Sequence, residues 1–399
     1  MDAALPARTQ RYAWAWALVP LALLAALIWW FLVSDPLAPL SVAVPPIEEL
    51  TVERTTLDDT GIHLSVRADG SEPLSIAQVQ VDGAYWAFSQ DPPGPLSRLE
   101  RARVDVPYPW VEGETHHITF VTRNGVPFEH TIEVATTSPA FGWQRLLAFA
   151  LLGIYVGVVP VALGLLFHPY LRTLGRRGLH FLLSLTVGLL AFLFVDTIQE
   201  GLELAAGAAG AFQASAMVWL AAGLSFLVLL AIGRRKGRPE GLSLAYFLAL
   251  GIGLHNLGEG LAIGAAYAVG QAALGSFLVV GFTLHNITEG IGIAAPLARR
   301  SVRIGTFLAL GLIAGGPAIV GTWVGAFAFE PQWAALFLGV GAGAILQVMV
   351  EVGGLLTRGV EGVREGARVA GAGWASPTNL AGFALGVVIM YATGLLVSV

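Results

Sequence analysis

The 399-residue chain has no cysteine, which excludes disulfides, thiolate zinc sites, iron–sulfur clusters and covalently attached c-type haem. Any metal must therefore use imidazole, carboxylate or amide ligands. Charge is also scarce: 12% of residues are charged, against about 25% in soluble domains, while 55% are hydrophobic and the mean hydropathy is +0.71. That balance excludes a soluble enzyme, a disordered chain and a collagen. No Walker pattern and no HExxH phrase occur, so nothing points to a nucleotide-driven pump or a zincin. What is abundant is glycine, with 49 residues, and tryptophan, with 11. Both suit helices packed closely in lipid with aromatic anchors at the interfaces.

The net charge of −5 conceals two populations. Residues 36–143 hold 15 acidic and 6 basic side chains, and the rest of the chain is net positive. This stretch also alternates in hydropathy (Ile62, Leu64, Val66; Val79, Val81; Val104, Val106) between turn signals such as Asp69-Gly70, Asp82-Gly83, Pro92-Pro93-Gly94 and Asn124-Gly125. The pattern predicts a small all-β domain over 36–142, a sandwich of about seven strands. Its stretch from Tyr108-Pro109-Trp110 to His116-His117-Ile118-Thr119-Phe120 resembles the closing hairpin region of an immunoglobulin- or fibronectin-like module.

Ahead of it, Tyr12 to Val33 forms an apolar run of 22 residues behind Arg8 and Arg11, long enough to span as an uncleaved anchor within residues 1–35. Beyond it, eight apolar segments follow, approximately 143–167, 179–204, 211–232, 242–269, 272–297, 304–329, 333–356 and 380–397. The predicted fold class is thus a polytopic α-helical membrane protein: an eight-helix bundle over 143–399, one N-terminal transmembrane helix and the inserted β domain. Arg172, Arg176 and Arg177, then Arg234 to Arg238, Arg299 to Arg303, and Arg358 to Arg368 occupy alternate connectors. The other connectors carry only Glu330. The positive-inside rule places the N-terminus in the cytoplasm and residues 36–142 and the C-terminus outside, in the plasma (inner) membrane.

An acid at mid-bilayer costs about 2.5–3.5 kcal/mol even on the lenient insertion scale, so carboxylates within spans are functional candidates. Glu259 and Glu289 end the same short phrase, Leu254-His255-Asn256-Leu257-Gly258-Glu259-Gly260 and Leu284-His285-Asn286-Ile287-Thr288-Glu289-Gly290. His at i and Glu at i+4 share a helix face. Counted at 1.5 Å per residue, His255 lies roughly 20 Å from the inner face and His285 roughly 20 Å from the outer face, both near mid-membrane. Two antiparallel helices bearing the phrase can gather two imidazoles and two carboxylates, which suits zinc and neighbouring first-row divalent ions and disfavours copper(I). Binding there should release protons.

The two phrases, in the fourth and fifth of eight bundle helices, strongly resemble the signatures of the ZIP (Zrt-, Irt-like) family of divalent-metal transporters. The resemblance covers about residues 143–399. It implies import of Zn2+, or of Fe2+, Mn2+, Co2+ or Cd2+, through a transport site of His255, Glu259, His285 and Glu289. Asn256 and Asn286 occupy neighbouring positions that serve a second metal. Asp196, Glu200 and Glu203, at i, i+4 and i+7, resemble the family's entrance helix, and Gln347 with Glu351 resembles its cytoplasmic exit. The family usually has Pro before the motif Glu, where this chain has Gly258 and Thr288. A kink there must then come from glycine or from a hydroxyl back-bond. An acid usual before Pro317 is Gly316 here, so one well-formed metal site is expected.

Transport, not enzymatic catalysis, is the expected function. The alternatives are an intramembrane zinc metallohydrolase and a metal-sensing receptor. The expected partners are the lipid bilayer and the metal ion, with a homodimer left open and nucleic acid excluded. His63, His116, His117 and His130 in the β domain read mainly as surface residues, and the pairs Gly311/Gly315, Gly321/Gly325 and Gly339/Gly343 as helix-packing contacts.

Overall fold

The structure is a computed structural model, and its described residues are 13–34, 47–138, 141–235, 237, 239–268, 272–358 and 375–397. Arg8, Arg11, Lys236, Arg238, Arg364 and Arg368, which carry part of the orientation reading, lie outside them. The chain divides into two compact units after Ile47. In the first, α1 (Ala13–Ser34) is apolar all round and leaves Leu21, Leu24 and Trp29 exposed. A helix with no polar face is one whose solvent is hydrocarbon.

The second unit opens with eight strands: β1 (Leu50–Asp58), β2 (Gly61–Ala68), β3 (Ile76–Val81), β4 (Ala84–Trp86), β5 (Ser89–Asp91), β6 (Arg101–Val106), β7 (His116–Thr122) and β8 (Pro127–Ile132). They form two antiparallel four-stranded sheets, ordered β1-β2-β6-β5 and β4-β3-β7-β8. Successive side chains point to opposite faces, so the alternating residues Ile62, Leu64, Val66 and Val104 of one sheet meet Val79, Val81, Ile118 and Phe120 of the other in one buried core. Asp82 (φ +52°) and Gly83 (φ +79°) make the left-handed turn between β3 and β4, pairing Val81 with Ala84. The expected count of about seven strands falls short by one. β4 and β5 are three residues each, too short to show an alternation. Glu53, 4% exposed, accepts from Arg67 Nε (2.6 Å) and from Arg101 Nη2 (2.6 Å), so its buried charge is neutralised within the sheet.

The helices are α2 (Trp143–Gly153), a π-helical turn (Ile154–Val158), α3 (Val159–Leu165), α4 (His168–Leu171), α5 (Arg176–Ala206), α6 (Ala214–Arg234), α7 (Leu242–Ala268), α8 (Ala272–Ala294), α9 (Ile304–Gly315), α10 (Pro317–Ala328), α11 (Pro331–Arg358) and α12 (Pro377–Val397). Among the described residues, seven helical passages are long and apolar enough to cross a membrane: Trp143–Leu171, Arg176–Ala206, Gly210–Arg234, Leu242–Tyr267, Leu278–Leu297, Ile304–Ala328 and Pro331–Leu356. The other two expected spans correspond to the shorter apolar stretches Leu18–Phe31 and Pro377–Ala392. The chain is a polytopic helical membrane protein with a small β domain.

Packing sorts the helices into two groups. α7 lies along α10 and α9, with α8 against α3 and α2 against α10, while α5 packs on α11 and α12 and α6 on α11. The groups meet along α7–α11 and α8–α12. Gly321 and Gly325 of α10 sit against the carbonyls of Leu257 and Leu261, and Gly260 and Gly264 of α7 sit against those of Ala318 and Thr322. A side chain at any of the four would strike backbone, so these glycines set the closest helix approach. Gly311 has no such contact and meets only the Leu165 side chain.

Candidate metal centre

α7 and α8 bring the two repeated phrases together. Nε2 of His255 lies 2.9 Å and Nε2 of His285 2.5 Å from the same oxygen, Glu259 Oε1. The two imidazole rings are 6.3 Å apart, and Phe282 packs edge-on to His285 at 5.5 Å. His255, Glu259 and His285 each offer a ligand atom, all within 4.8 Å of one another, and this is the single group of three or more such residues among the described ones. All three are buried, as are Asn256, Asn286 and Glu289.

The mirrored phrases are used unequally. Glu259 gathers both imidazoles on Oε1 and accepts from Asn286 Nδ2 on Oε2 at 3.1 Å. Glu289, expected as the fourth ligand, stands outside the close group, and neither of its oxygens has a hydrogen-bond partner. Asn256 Oδ1 and Asn286 Oδ1 are likewise buried without a donor. Four acceptor oxygens of the two phrases are thus buried without a hydrogen-bond partner. An orphaned buried polar atom costs about 1–3 kcal/mol, and more when charged, so the protein alone leaves this region unsatisfied.

The carboxamide nitrogens have a separate task. Asn286 Nδ2 donates to Val156 O (3.1 Å) and Asn256 Nδ2 to Ala314 O (3.0 Å). Both carbonyls lie at helix irregularities. Pro160 has no N–H to give to Val156 one turn back, and Ala314 precedes the junction of α9 and α10 at Gly315-Gly316-Pro317. The two irregularities touch, because Gly157 and Gly315 each leave no room for a side chain beside the other's backbone. The kink expected next to the motif glutamates is displaced into these neighbours: α7 and α8 run unbroken through Gly258 and Thr288. Thr288 Oγ1 does bond back to His285 O (2.6 Å), but that single hydroxyl bond leaves the helix intact.

Among the expected pathway residues, Asp196 and Glu203 are exposed and Glu200 is half-buried, all on α5. Asp196 lies one turn before Glu200 on the same face of α5, with His285, His255 and Glu259 among the charges that act on it. Gln347 is fully buried, with neither amide atom hydrogen-bonded, and Glu351 Oε1 lies 3.8 Å from Arg234 Nε. The sequence marked Arg234 only as a connector charge and did not single out Val156. An arginine in a basic connector and a valine before a proline carry no local sign that folding sets them against these residues.

The histidines of the β domain do not converge. His63 lies between Asp105 (2.5 Å) and Asp58 (3.0 Å), His116 bonds Asp82 (2.8 Å), His117 bonds Thr131 and His130 bonds Thr55. The Thr60 hydroxyl and then His63 hold the Asp58 carboxyl well below the usual carboxylate range. These contacts tie strands together. Compared with models of known protein families and with curated protein sequences, the chain matches none.

Proposed function

We propose that the chain carries a divalent transition-metal cation across the plasma membrane, in the manner of the ZIP family that its repeated phrases resemble. Zinc is the first candidate, with Fe2+, Mn2+, Co2+ and Cd2+ as chemically related substrates. The reading rests on one observation: His255, Glu259 and His285 converge in a buried region where Glu289, Asn256 and Asn286 leave four acceptor oxygens unpartnered. A doubly charged ion held by His255, Glu259 and His285 would also stabilise the buried Glu289 carboxylate nearby. A protein hydrogen bond would satisfy only one acceptor oxygen.

The remaining supports are weaker and agree in direction. The arginine-rich connectors put the β domain outside, where its acidic surface concentrates cations. The strand order of the two sheets corresponds to that of immunoglobulin-type modules, which suits an outer recognition or covering domain. Gly316 supplies no bridging carboxylate, so one tightly held ion per chain is expected. With neither a nucleotide motif nor a hydrolytic phrase in the chain, the driving force is the ion gradient, the membrane potential or a proton coupling.

Uptake of radiolabelled zinc or manganese by proteoliposomes tests the reading. The wild type should accumulate ion and Glu259→Gln should lose at least 90% of that rate, an estimate of order tenfold or more for a first ligand. Equal uptake by the two refutes the assignment. Ion binding without uptake moves the function to metal sensing, and peptide cleavage that dies with Glu259→Gln moves it to hydrolysis.

A further inference from the structure

Where β1 of the sandwich comes beside the ends of α5, α7 and α8, the structure has an open cleft of about 380 Å³. Val52 and Glu53 form its sandwich wall, and Glu200 and Glu203 of α5, Ala262 of α7 and Leu278 of α8 line its bundle side. An ion with six waters needs about 180 Å³, at about 30 Å³ per water, so a hydrated cation fits. One helical turn further in, Asp196 is exposed and interacts electrostatically with His285 and His255. Asp196, Glu200 and Glu203 thus form one acidic row on α5 that starts at the cavity.

The sandwich wall is fastened to both helix groups. Both carboxylate oxygens of Asp69 accept from the Ala211 N–H (3.1 Å each), just ahead of α6. On the other side, Arg54 Nη1 donates to Phe327 O (3.0 Å) at the end of α10, and Arg101 Nη1 donates to Glu330 Oε1 (2.9 Å) before α11. Arg101 holds the Glu330 carboxyl below its ordinary range, so that bridge is charged at neutral pH. Glu53 is already matched by Arg67 and Arg101 and offers no spare charge. The sandwich shapes the cavity, and the acids that face an incoming cation belong to the bundle.

We propose that this cavity is the entry vestibule for a hydrated divalent cation and that the β domain forms its outer wall, an inference that rests on the transport reading. The ion passes between β1 and the helix ends, meets Glu203 and Glu200 while hydrated, and reaches Asp196 before it sheds water at His255, His285 and Glu259. The β domain is then part of the path, and blocking its inner surface blocks the ion.

The absence of cysteine makes the test direct, because a single introduced thiol is the sole site of labelling. Val52→Cys, Leu204→Cys and, as a control on the exposed side of β4, Tyr85→Cys are reconstituted and treated with a bulky cationic thiosulfonate, with labelling measured by intact mass. Labelling at Val52→Cys and at Leu204→Cys should lower zinc uptake at least fivefold against the same unlabelled variant, and zinc should slow the reaction. Labelling at Tyr85→Cys should change uptake less than twofold. Complete labelling at both cavity positions with uptake unchanged, or failure of both thiols to react in folded protein, overturns the vestibule while leaving transport standing. No uptake by the unlabelled wild type overturns the transport reading, and the vestibule with it.

Discussion

Glu53 in the β domain and Glu289 in the bundle are carboxylates of nearly equal burial, 4% and 3% exposed, treated in opposite ways. Glu53 has two arginines within 2.6 Å and belongs to a finished ion-pair network. Glu289 has no partner on either oxygen. Removing a carboxylate from water costs several kcal/mol, and a stable domain repays this with cations built into the chain. Where no arginine or lysine does so, beside a converged imidazole pair, the proposed ion would supply the charge. A completed network thus marks structure, and an incomplete one marks a site.

Three substitutions break or sharpen that contrast. The largest effect is expected at Glu289→Gln, where two readouts should diverge. The metal-free protein melts no lower than wild type, because an unpaired buried carboxyl is relieved, while zinc affinity falls about 100-fold. Calorimetric titration and thermal melting in detergent measure both, and a lower melting point with unchanged affinity would make Glu289 a structural group like Glu53. Next comes Glu53→Ala, which leaves Arg67 and Arg101 without their shared partner. It should destabilise the β domain by about 2–3 kcal/mol, below the 3–5 kcal/mol of a fully enclosed pair because Arg101 keeps Glu330 and solvent. Loss of protease resistance confined to residues 48–138, with metal affinity retained, checks it.

Asn286→Leu should have the smallest effect on stability, about 1–2 kcal/mol, by orphaning Val156 O. Combined with Pro160→Ala, which restores a backbone N–H near that carbonyl, most of the loss should disappear. A double-mutant cycle on melting temperature measures the coupling. Strict additivity would mean that the amide nitrogen of Asn286 does no work for the irregular helix.

Much of the β domain was legible because alternation has period two and turns have their own residues: Asp82-Gly83 and the Ile62-Leu64-Val66 run appear where they were read. The count of about seven fell one short of eight because strands of three residues, such as β4 and β5, carry no periodicity. The apolar spans were legible by length alone. The repeated phrase singled out His255, Glu259 and His285, since one spacing on one helix fixes a shared face. It also implied an equivalence of Glu259 and Glu289 that folding removes, because Asn286 and both histidines turn to one carboxylate and leave the other bare.

The sequence by itself determined that helices apolar enough to cross a membrane make up much of the chain, that a charged β region interrupts them, and that one acid–imidazole phrase is repeated, because hydropathy, charge and helical spacing are local quantities. Only the tertiary structure decided which carboxylate receives the imidazoles, where the helices break and that β1 lines one pocket with the ends of α5, α7 and α8. Each of those facts depends on contacts between residues tens to hundreds of positions apart, such as Asn286 with Val156 and Arg54 with Phe327. No local pattern encodes which surfaces meet once helices pack as closely as glycine allows.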